Sequence, residues 1–253
     1  MVRTVIILLL TILSFNAWST GQDRDGLWYE GKDYALYVDQ NPLEQFFYYN
    51  PKRRPEPETI LSSRARGYQA TFSIKHNALF IEELTITKAS GTDYDFKLFE
   101  ESVLGKVFPD PASRRLDWFA GVIVVPLGEE LNTDYSTYIA PHEKYLLFRV
   151  SNGSVIESAE MSLKQYQSYR KKQFEIYKKT KWYRQAFQTE EEKQATYFED
   201  EDDFDIEDFI YQVGIYAFKV NLPFSDNNEA KNNSDVDMSK PYVIPPIIHR
   251  GYK

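Results

Sequence analysis

The most regular pattern in the chain is the alternation of apolar and polar positions from Arg66 to Lys75, which predicts a half-buried β-strand. His76-Asn77 then predicts a turn, because asparagine tolerates a positive φ. In the returning strand the apolar phase slips at Glu82-Glu83, which indicates a β-bulge. The segment Arg66–Thr87 is therefore predicted to be a bulged antiparallel hairpin. Its core face would carry Phe72 and Ile74, and Thr71 and Ser73 would point away from the core.

Three segments have helical patterns. Asn41-Pro42-Leu43-Glu44 predicts a helix start, since asparagine caps well and proline suits the first helical position. Phe96 to Phe108 shows apolar residues at helical spacing. Ser162 to Gln165 fits a capping box, from which we predict one long amphipathic helix extending to about Phe187.

Further strands are predicted at Leu116–Val125, Tyr145–Val150 and Phe209–Val220, and Asn152-Gly153 predicts a turn. The predicted helices and strands do not alternate regularly along the chain. The pattern thus predicts an α+β fold with a single domain, in which a largely antiparallel sheet packs against a long C-terminal amphipathic helix.

The N-terminus has the layout of a cleavable export signal. Arg3 precedes an apolar stretch from Val5 to Leu13, and Ala17-Trp18-Ser19 resembles a cleavage site. We expect a signal peptide at 1–19 and export to the periplasm or the extracellular space. An uncleaved anchor is the alternative, although the apolar stretch is shorter than the roughly 20 residues of a typical membrane-spanning helix.

The rest of the chain is expected to form one domain over 20–220, with an acidic insertion at about 189–208, and a tail at 221–253 that is polar enough to be disordered. Beyond the signal, no segment is apolar enough to predict a membrane span.

The absence of cysteine excludes a disulfide framework, thiolate metal sites and thiol catalysis. The chain has a formal net charge of −8, which disfavours nucleic acid as a partner because its phosphates are also negative. Aromatic residues make up 16% of the chain; they suit sugar stacking but more often form core.

No short motif in the sequence predicts catalysis or a bound cofactor. His76, His142 and His249 are far apart and are expected in turns, loops or the tail. The acidic run Glu199–Asp208 lacks the glycine and the spacing of a calcium loop, so no metal is predicted. A carboxylate pair could still act as acid and base, and Asp117 and Glu82 are the candidates beside apolar strand residues.

Several segments in order resemble an uncharacterised family of bacterial proteins, over about Trp28 to Tyr183. They are Tyr29–Tyr34, Asn41–Glu44, Arg66–Phe72, Leu79–Ile81, Val107–Pro109, Asp117–Gly121 and Lys172–Thr180. The resemblance implies one α+β unit with an Arg-Gly-Tyr strand, an Asp-Trp-Phe-x-Gly strand and a C-terminal Gln-Phe-x-x-Tyr-Lys-Lys-Thr helix. It implies no established activity. The chain departs from the family at Ala65, where a Trp is expected, and over Asn132–His142, where a Gly-rich segment is expected.

Arg66, Tyr68, Asp117 and Trp118 are the candidate binding residues. Gly67 and Gly121 lie beside them, and a glycine in a strand marks a bulge or the close approach of another group. Arg66 and Asp117 would form a cross-strand ion pair in a structural interpretation. In a functional interpretation, Tyr68 and Trp118 would line a pocket.

These observations favour a non-catalytic envelope protein that binds a ligand, with a protein or a glycan as the partner. One alternative is a hydrolase that acts on envelope glycan or polymer. Another is an inhibitor or immunity-type protein, because an acidic surface suits a basic target.

Overall fold

The structure, a computed structural model, describes residues 23–37, 41–91, 95–131, 140–197, 205–213 and 220–224. Within these ranges the chain forms eight β-strands and five α-helices. The strands are β1 (Gly26–Tyr29), β2 (Lys32–Ala35), β3 (Gln69–Lys75), β4 (Ala78–Ser90), β5 (Lys97–Ser102), β6 (Gly121–Glu130), β7 (His142–Ser151) and β8 (Ser154–Ser162). The helices are α1 (Pro42–Tyr49), α2 (Leu104–Val107), α3 (Leu163–Tyr177), α4 (Lys181–Tyr197) and α5 (Ile206–Val213).

All eight strands belong to one sheet, in the order β2-β1-β3-β4-β8-β7-β6, with β5 paired to the far half of β4. The pair β1–β3 is parallel and the other pairs are antiparallel. The two ends of this order meet, because the backbone N–H of Tyr37 donates to the carbonyl of Val124 at 2.9 Å. The sheet is therefore rolled up, with one face turned inward.

Alternating side chains on each strand fill the inside of the roll and cover its outside. On β6, Ile123 and Val125 point inward, whereas Val122 and Val124 face the outer layer formed by α3. The inner core also contains apolar residues of α1 and α2, so these helices close the roll. Fully burying one such aliphatic or aromatic side chain stabilises the fold by about 1.5–3 kcal/mol. The α+β, single-domain prediction is thus confirmed.

The predicted hairpin is confirmed in its bulge and in its turn. The pairing partner of Thr71 is Glu83 and that of Phe72 is Ile81, so Glu82 is the extra residue of the bulge. His76 and Asn77 both have positive φ, at 49° and 57°. Phe72 and Ile74 are buried in the inner core.

Ser73 points away from the inner core, as predicted, but it is completely buried. Its hydroxyl donates to Glu82, the bulged residue. The bulge turns the Glu82 side chain toward the neighbouring strand, where its carboxylate lies over Ser73.

Three predicted elements are wrong in type or length. The helical spacing of Phe96–Phe108 is misleading, because Lys97–Ser102 pairs with β4 as a strand and only Leu104–Val107 is helical. Leu116–Ala120 is a turn that precedes β6, not part of a central strand. The segment Phe209–Val220 was predicted to be a strand, but its first part belongs to a helix that spans Ile206–Val213. The residues between Val213 and Val220 lie outside the described ranges.

The capping box at Ser162 is confirmed, but the long helix is divided in two. The Ser162 hydroxyl accepts from the Gln165 N–H, and α3 then ends at Tyr177. Thr180 separates α3 from α4, and its hydroxyl accepts from the Tyr183 N–H at 3.2 Å. The first part of the acidic segment, up to residue 197, belongs to α4.

Several predictions concern residues outside the described ranges. These are the signal peptide at 1–19, most of the segment 132–142, residues 198–204 of the acidic insertion and 225–253 of the tail. Leu222 and Phe224, which are described and lie at the start of the predicted tail, pack against the apolar residues between the sheet and α3. Among the helices described, none has the length and apolar character needed to cross a membrane.

Candidate functional site

A buried carboxylate, Asp25, organises the start of β3. Its side chain is 2% exposed and accepts from the Arg66 guanidinium at 2.9 Å, from the Asn41 amide at 2.7 Å and from the Ala70 N–H at 2.8 Å. The side-chain amide oxygen of Asn41 in turn accepts from the Leu43 N–H and caps α1. One carboxylate therefore fixes the first candidate residue, Arg66, relative to both β3 and α1.

A second buried carboxylate, Glu44 of α1, holds Arg54 and Tyr68. The Arg54 guanidinium donates two parallel hydrogen bonds to Glu44, at 3.0 and 2.9 Å. The Tyr68 hydroxyl, itself fully buried, donates to Glu44 at 2.6 Å. Bidentate arginine–carboxylate pairs are among the strongest and most directional hydrogen bonds in proteins.

The charges of the network balance, since the carboxylates of Asp25 and Glu44 face the guanidiniums of Arg54 and Arg66. Burial raises the pKa of Asp25, and Arg66 and the Ala70 N–H oppose that rise. Burial also raises the pKa of Tyr68 well above its ordinary value, and the negative charge of Glu44 adds to the effect. For Arg54 and Arg66, burial alone lowers the pKa, but their carboxylate partners outweigh it, so both remain charged.

The carboxylates of Asp25 and Glu44 are buried, whereas the guanidiniums of their partners are partly exposed at the surface. The side chains of Arg54 and Arg66 are 36% and 22% exposed. Both guanidiniums lie over the Tyr68 ring, at 5.5 and 5.7 Å from its centroid. An arginine has five N–H donors, and the described contacts use three of Arg54 and two of Arg66. The remaining donors have no acceptor among the described residues.

Two exposed tyrosines extend this surface along α1. Tyr48 lies one helical turn beyond Glu44, so the two side chains project from the same side of α1, and Glu44 is the partner of Arg54. Its ring contacts that of Tyr49, and the two are 37% and 41% exposed. We call Tyr48, Tyr49, Arg54 and Arg66 the tyrosine–arginine surface.

The predicted pair between Arg66 and Asp117 is wrong. Arg66 pairs with Asp25, and Asp117 forms an exposed ion pair with Arg115 at 2.8 Å. The structural interpretation of Arg66 therefore holds in kind, but its partner comes from the segment before β1. Gly67 has a positive φ, and an added Cβ would lie 2.7 Å from the ring of Pro57, so the segment that contains Pro57 passes closely here.

Tyr68 and Trp118 do not line a common pocket, because α1 lies between them. The Tyr68 ring contacts Phe47, Phe47 contacts Phe46, and Phe46 contacts Trp118 at a centroid distance of 5.2 Å. The Trp118 indole N–H is buried without a hydrogen-bond partner. Among the four candidates, the structure groups Arg66 with Tyr68 and places Asp117 and Trp118 on the other side of α1.

The two carboxylates suggested for acid–base chemistry lie in exposed ion pairs. Glu82 accepts from Lys75 at 2.6 Å. Burial raises the pKa of Glu82, but hydrogen bonds from Lys75 and Ser73 outweigh it and leave the pKa below its ordinary value. Asp117 is 63% exposed beside Arg115. Neither side chain lies against the apolar wall that a general acid requires.

His142 is not the loop residue that the sequence suggests. It begins β7, is buried, and both its ring nitrogens lack a hydrogen-bond partner. Its ring lies edge-on to Tyr145. Across the described residues, no three side chains of His, Asp or Glu are grouped to hold a metal ion.

Sequence reasoning missed Asp25, Glu44 and Arg54. One signal was available for Glu44, which lies next to Leu43 and three residues before Phe47, hence on the apolar face of α1. A carboxylate on a buried face requires a partner. Nothing in the sequence indicates that Asp25 reaches Arg66, because the contact depends on the parallel pairing of β1 with β3.

The chain matches no protein-family model, no curated protein and no solved structure. The interpretation of its function therefore depends on the geometry of its own residues.

Proposed function

We propose that this is an exported, non-catalytic binding protein that takes an anionic group of its ligand or partner on the tyrosine–arginine surface. The observation that carries the proposal is the arrangement of Arg54 and Arg66: two partly exposed guanidiniums fixed by carboxylates that are buried behind them. Export is proposed from the N-terminal pattern alone, and intact-mass analysis of the native protein should find Thr20 as its first residue.

Rigid placement of the two cations supports binding. A long side chain normally loses conformational entropy when it is immobilised by a ligand. Here Glu44 and Asp25 have already fixed Arg54 and Arg66, so a ligand would meet donors that are oriented beforehand. Guanidinium groups match the geometry of carboxylate, sulfate and phosphate oxygens.

The exposed tyrosines support the same interpretation. Tyrosine offers a large, rigid contact area and a hydroxyl at low entropic cost, which suits it to binding surfaces. Tyr48 and Tyr49 are both presented to solvent from a short, capped helix. A sugar or peptide that carries an acidic group could rest on these rings while its charge meets Arg54 and Arg66.

The hydrolase alternative is less well supported. It needs a carboxylic acid that is both protonated near neutral pH and open to substrate. Asp25 has a raised pKa, but its side chain is 2% exposed and accepts three hydrogen bonds from the protein. Its position is better explained by its role in holding Arg66.

The test compares binding to dextran sulfate with binding to uncharged dextran. We expect the purified protein to bind only the sulfated polymer, and to release it as salt concentration rises. Arg54→Lys keeps the charge but loses the bidentate geometry, and Tyr48→Ala combined with Tyr49→Ala removes the rings. Each should weaken binding about tenfold or more, in the range expected for hot-spot residues.

Matched controls lie elsewhere on the molecule. Ile156→Ala removes an apolar side chain that is 49% exposed, and Lys144→Gln removes a cation that is 59% exposed. Both should leave the affinity unchanged. Equal affinities for all four variants, with circular dichroism showing that each is folded, would refute the proposal, as would equal binding to both polymers.

A further inference from the structure

The far half of β4 and all of β5 extend from the sheet as a two-stranded ribbon. Residues Thr85–Ser90 of β4 pair with Ser102–Lys97 of β5, whereas β3 pairs with β4 only up to Thr85. Among the described residues, β5 has no partner other than β4, so its outer edge presents unpaired backbone groups. Such an edge is a template for another strand.

This edge is also unusually apolar for an exposed strand. Phe96, Leu98 and Phe99 are 58%, 45% and 46% exposed. Large apolar side chains on a free edge normally indicate a surface that is covered by a partner.

We propose that β5 pairs with β5 of a second copy of this chain, antiparallel and about a two-fold axis at Phe99. Two copies related by a two-fold axis use the same surface, so each residue i faces residue j and the reverse. For antiparallel strands of one sheet that axis is perpendicular to the sheet, so a given residue points to the same face of the sheet in both copies. Residues directly opposite each other must also point to the same face. Only registers in which some residue faces its own copy are then allowed.

The charges of β5 select one of these registers. With Phe99 at the axis, Lys97 faces Glu101 of the second copy, and no like charges are opposed. With Leu98 at the axis, Asp95 would face Glu101, and with Glu100 at the axis, Glu100 would face itself. Opposite charges across strands stabilise the pairing and like charges destabilise it.

The register also uses the exposed side chains well. Phe99 would pack on Phe99 of the second copy at the centre, and aromatic cross-strand pairs are stabilising. Lys97 is 72% exposed, and its ion pair with the exposed Asp95 is long, at 3.6 Å, so it can turn to a new partner. This interface shares no residue with the tyrosine–arginine surface, and it does not depend on the proposed function.

The cysteine-free sequence allows the register to be tested by cross-linking. In the proposed register, position 99 lies opposite its own copy, at about 4.5–5.5 Å between Cα atoms, within the range for a disulfide. The two copies of position 98 would be diagonal, about 7–8 Å apart, and would not cross-link readily. Under mild oxidation, Phe99→Cys should therefore form covalent dimers at least tenfold faster than Leu98→Cys.

Sedimentation velocity over a concentration series gives the second measurement. We expect a reversible dimer that Lys97→Glu weakens about tenfold, because the change opposes like charges at two places in each dimer. Lys144→Glu, a reversal on an internal strand, should leave the dimer intact. A protein that stays monomeric at the highest concentrations, or a Leu98→Cys variant that cross-links as fast as Phe99→Cys, would overturn the proposal.

Discussion

Individual residues show how this protein keeps charges inside an apolar fold. Arg64 is 9% exposed, yet its guanidinium donates to Asp23, Thr87, Glu100 and Gln69. Removing one partner of a buried charge typically costs about 3–5 kcal/mol, because the other charge is left without compensation. Buried arginines of this kind fix neighbouring segments, and Arg64 joins the residues before β1 to the β4–β5 ribbon.

Phe72 offers the clearest test of side-chain placement in the hairpin. It is completely buried in the inner core, so Phe72→Ala removes packing and leaves a cavity. We expect a loss of about 3–5 kcal/mol in the free energy of unfolding, measured by urea denaturation. Thr71→Ala, one position earlier on the opposite face, should cost less than about 1 kcal/mol. Equal losses for the two variants would contradict the register of β3.

Elements with strong local signals could be predicted from the sequence, and elements that depend on distant partners could not. α1 was predictable because Asn41, Pro42 and Glu44 set its start regardless of the rest of the fold. β5 was not, because Phe96, Phe99 and Val103 have helical spacing, and only pairing with β4 makes the segment a strand. Apolar residues in β5 are exposed on both faces, which removes the alternation that identifies a half-buried strand.

The break between α3 and α4 can be tested at Thr180. Its hydroxyl accepts from the Tyr183 N–H, as an N-cap of α4 does. Thr180→Ala should therefore lower the free energy of unfolding by about 1 kcal/mol. Thr189, within α4, instead donates to the carbonyl of Gln185, and Thr189→Ala should be neutral or slightly stabilising because alanine favours helix. A stability loss at position 189 as large as that at 180 would refute the capping role.

For the whole molecule, the sequence predicted the class of fold but not how the sheet is rolled. The candidate site shows the same limit, since Arg66 and Tyr68 were found from a local motif, whereas their partners come from the segment before β1 and from α1. Contacts between distant segments are set by sheet topology, which a single sequence with several equivalent strands does not specify.

The buried tyrosines predict unfolding at alkaline pH. Burial raises the pKa of Tyr68, Tyr145, Tyr169 and Tyr177 above the ordinary value of about 10. Above pH 10 the unfolded chain loses these protons and the folded chain keeps them, so stability falls as pH rises. Each such group contributes up to about 1.4 kcal/mol per pH unit.

The measurement follows circular dichroism and tyrosinate absorbance through an alkaline titration. We expect the circular dichroism to change in one cooperative transition, with a step in tyrosinate absorbance at the same pH as the buried tyrosines ionise. Tyr177→Phe should move that transition to higher pH, since one buried group that ionises on unfolding is lost. Ionisation of all the tyrosines without loss of structure would contradict the burial of these four side chains.

The contact between Tyr37 and Val124 has a kinetic consequence. It closes the roll by joining the two ends of the described sheet. β1 also depends on a distant segment, because it enters the sheet by pairing with β3. A two-stranded ribbon such as β1–β2 is marginal on its own in water. We therefore expect this ribbon to join last, after β6 has paired with β7, and we expect the chain to fold slowly, as proteins rich in non-local pairings do. Until that seam closes, the apolar interior stays open along the side that β1 and β2 later cover.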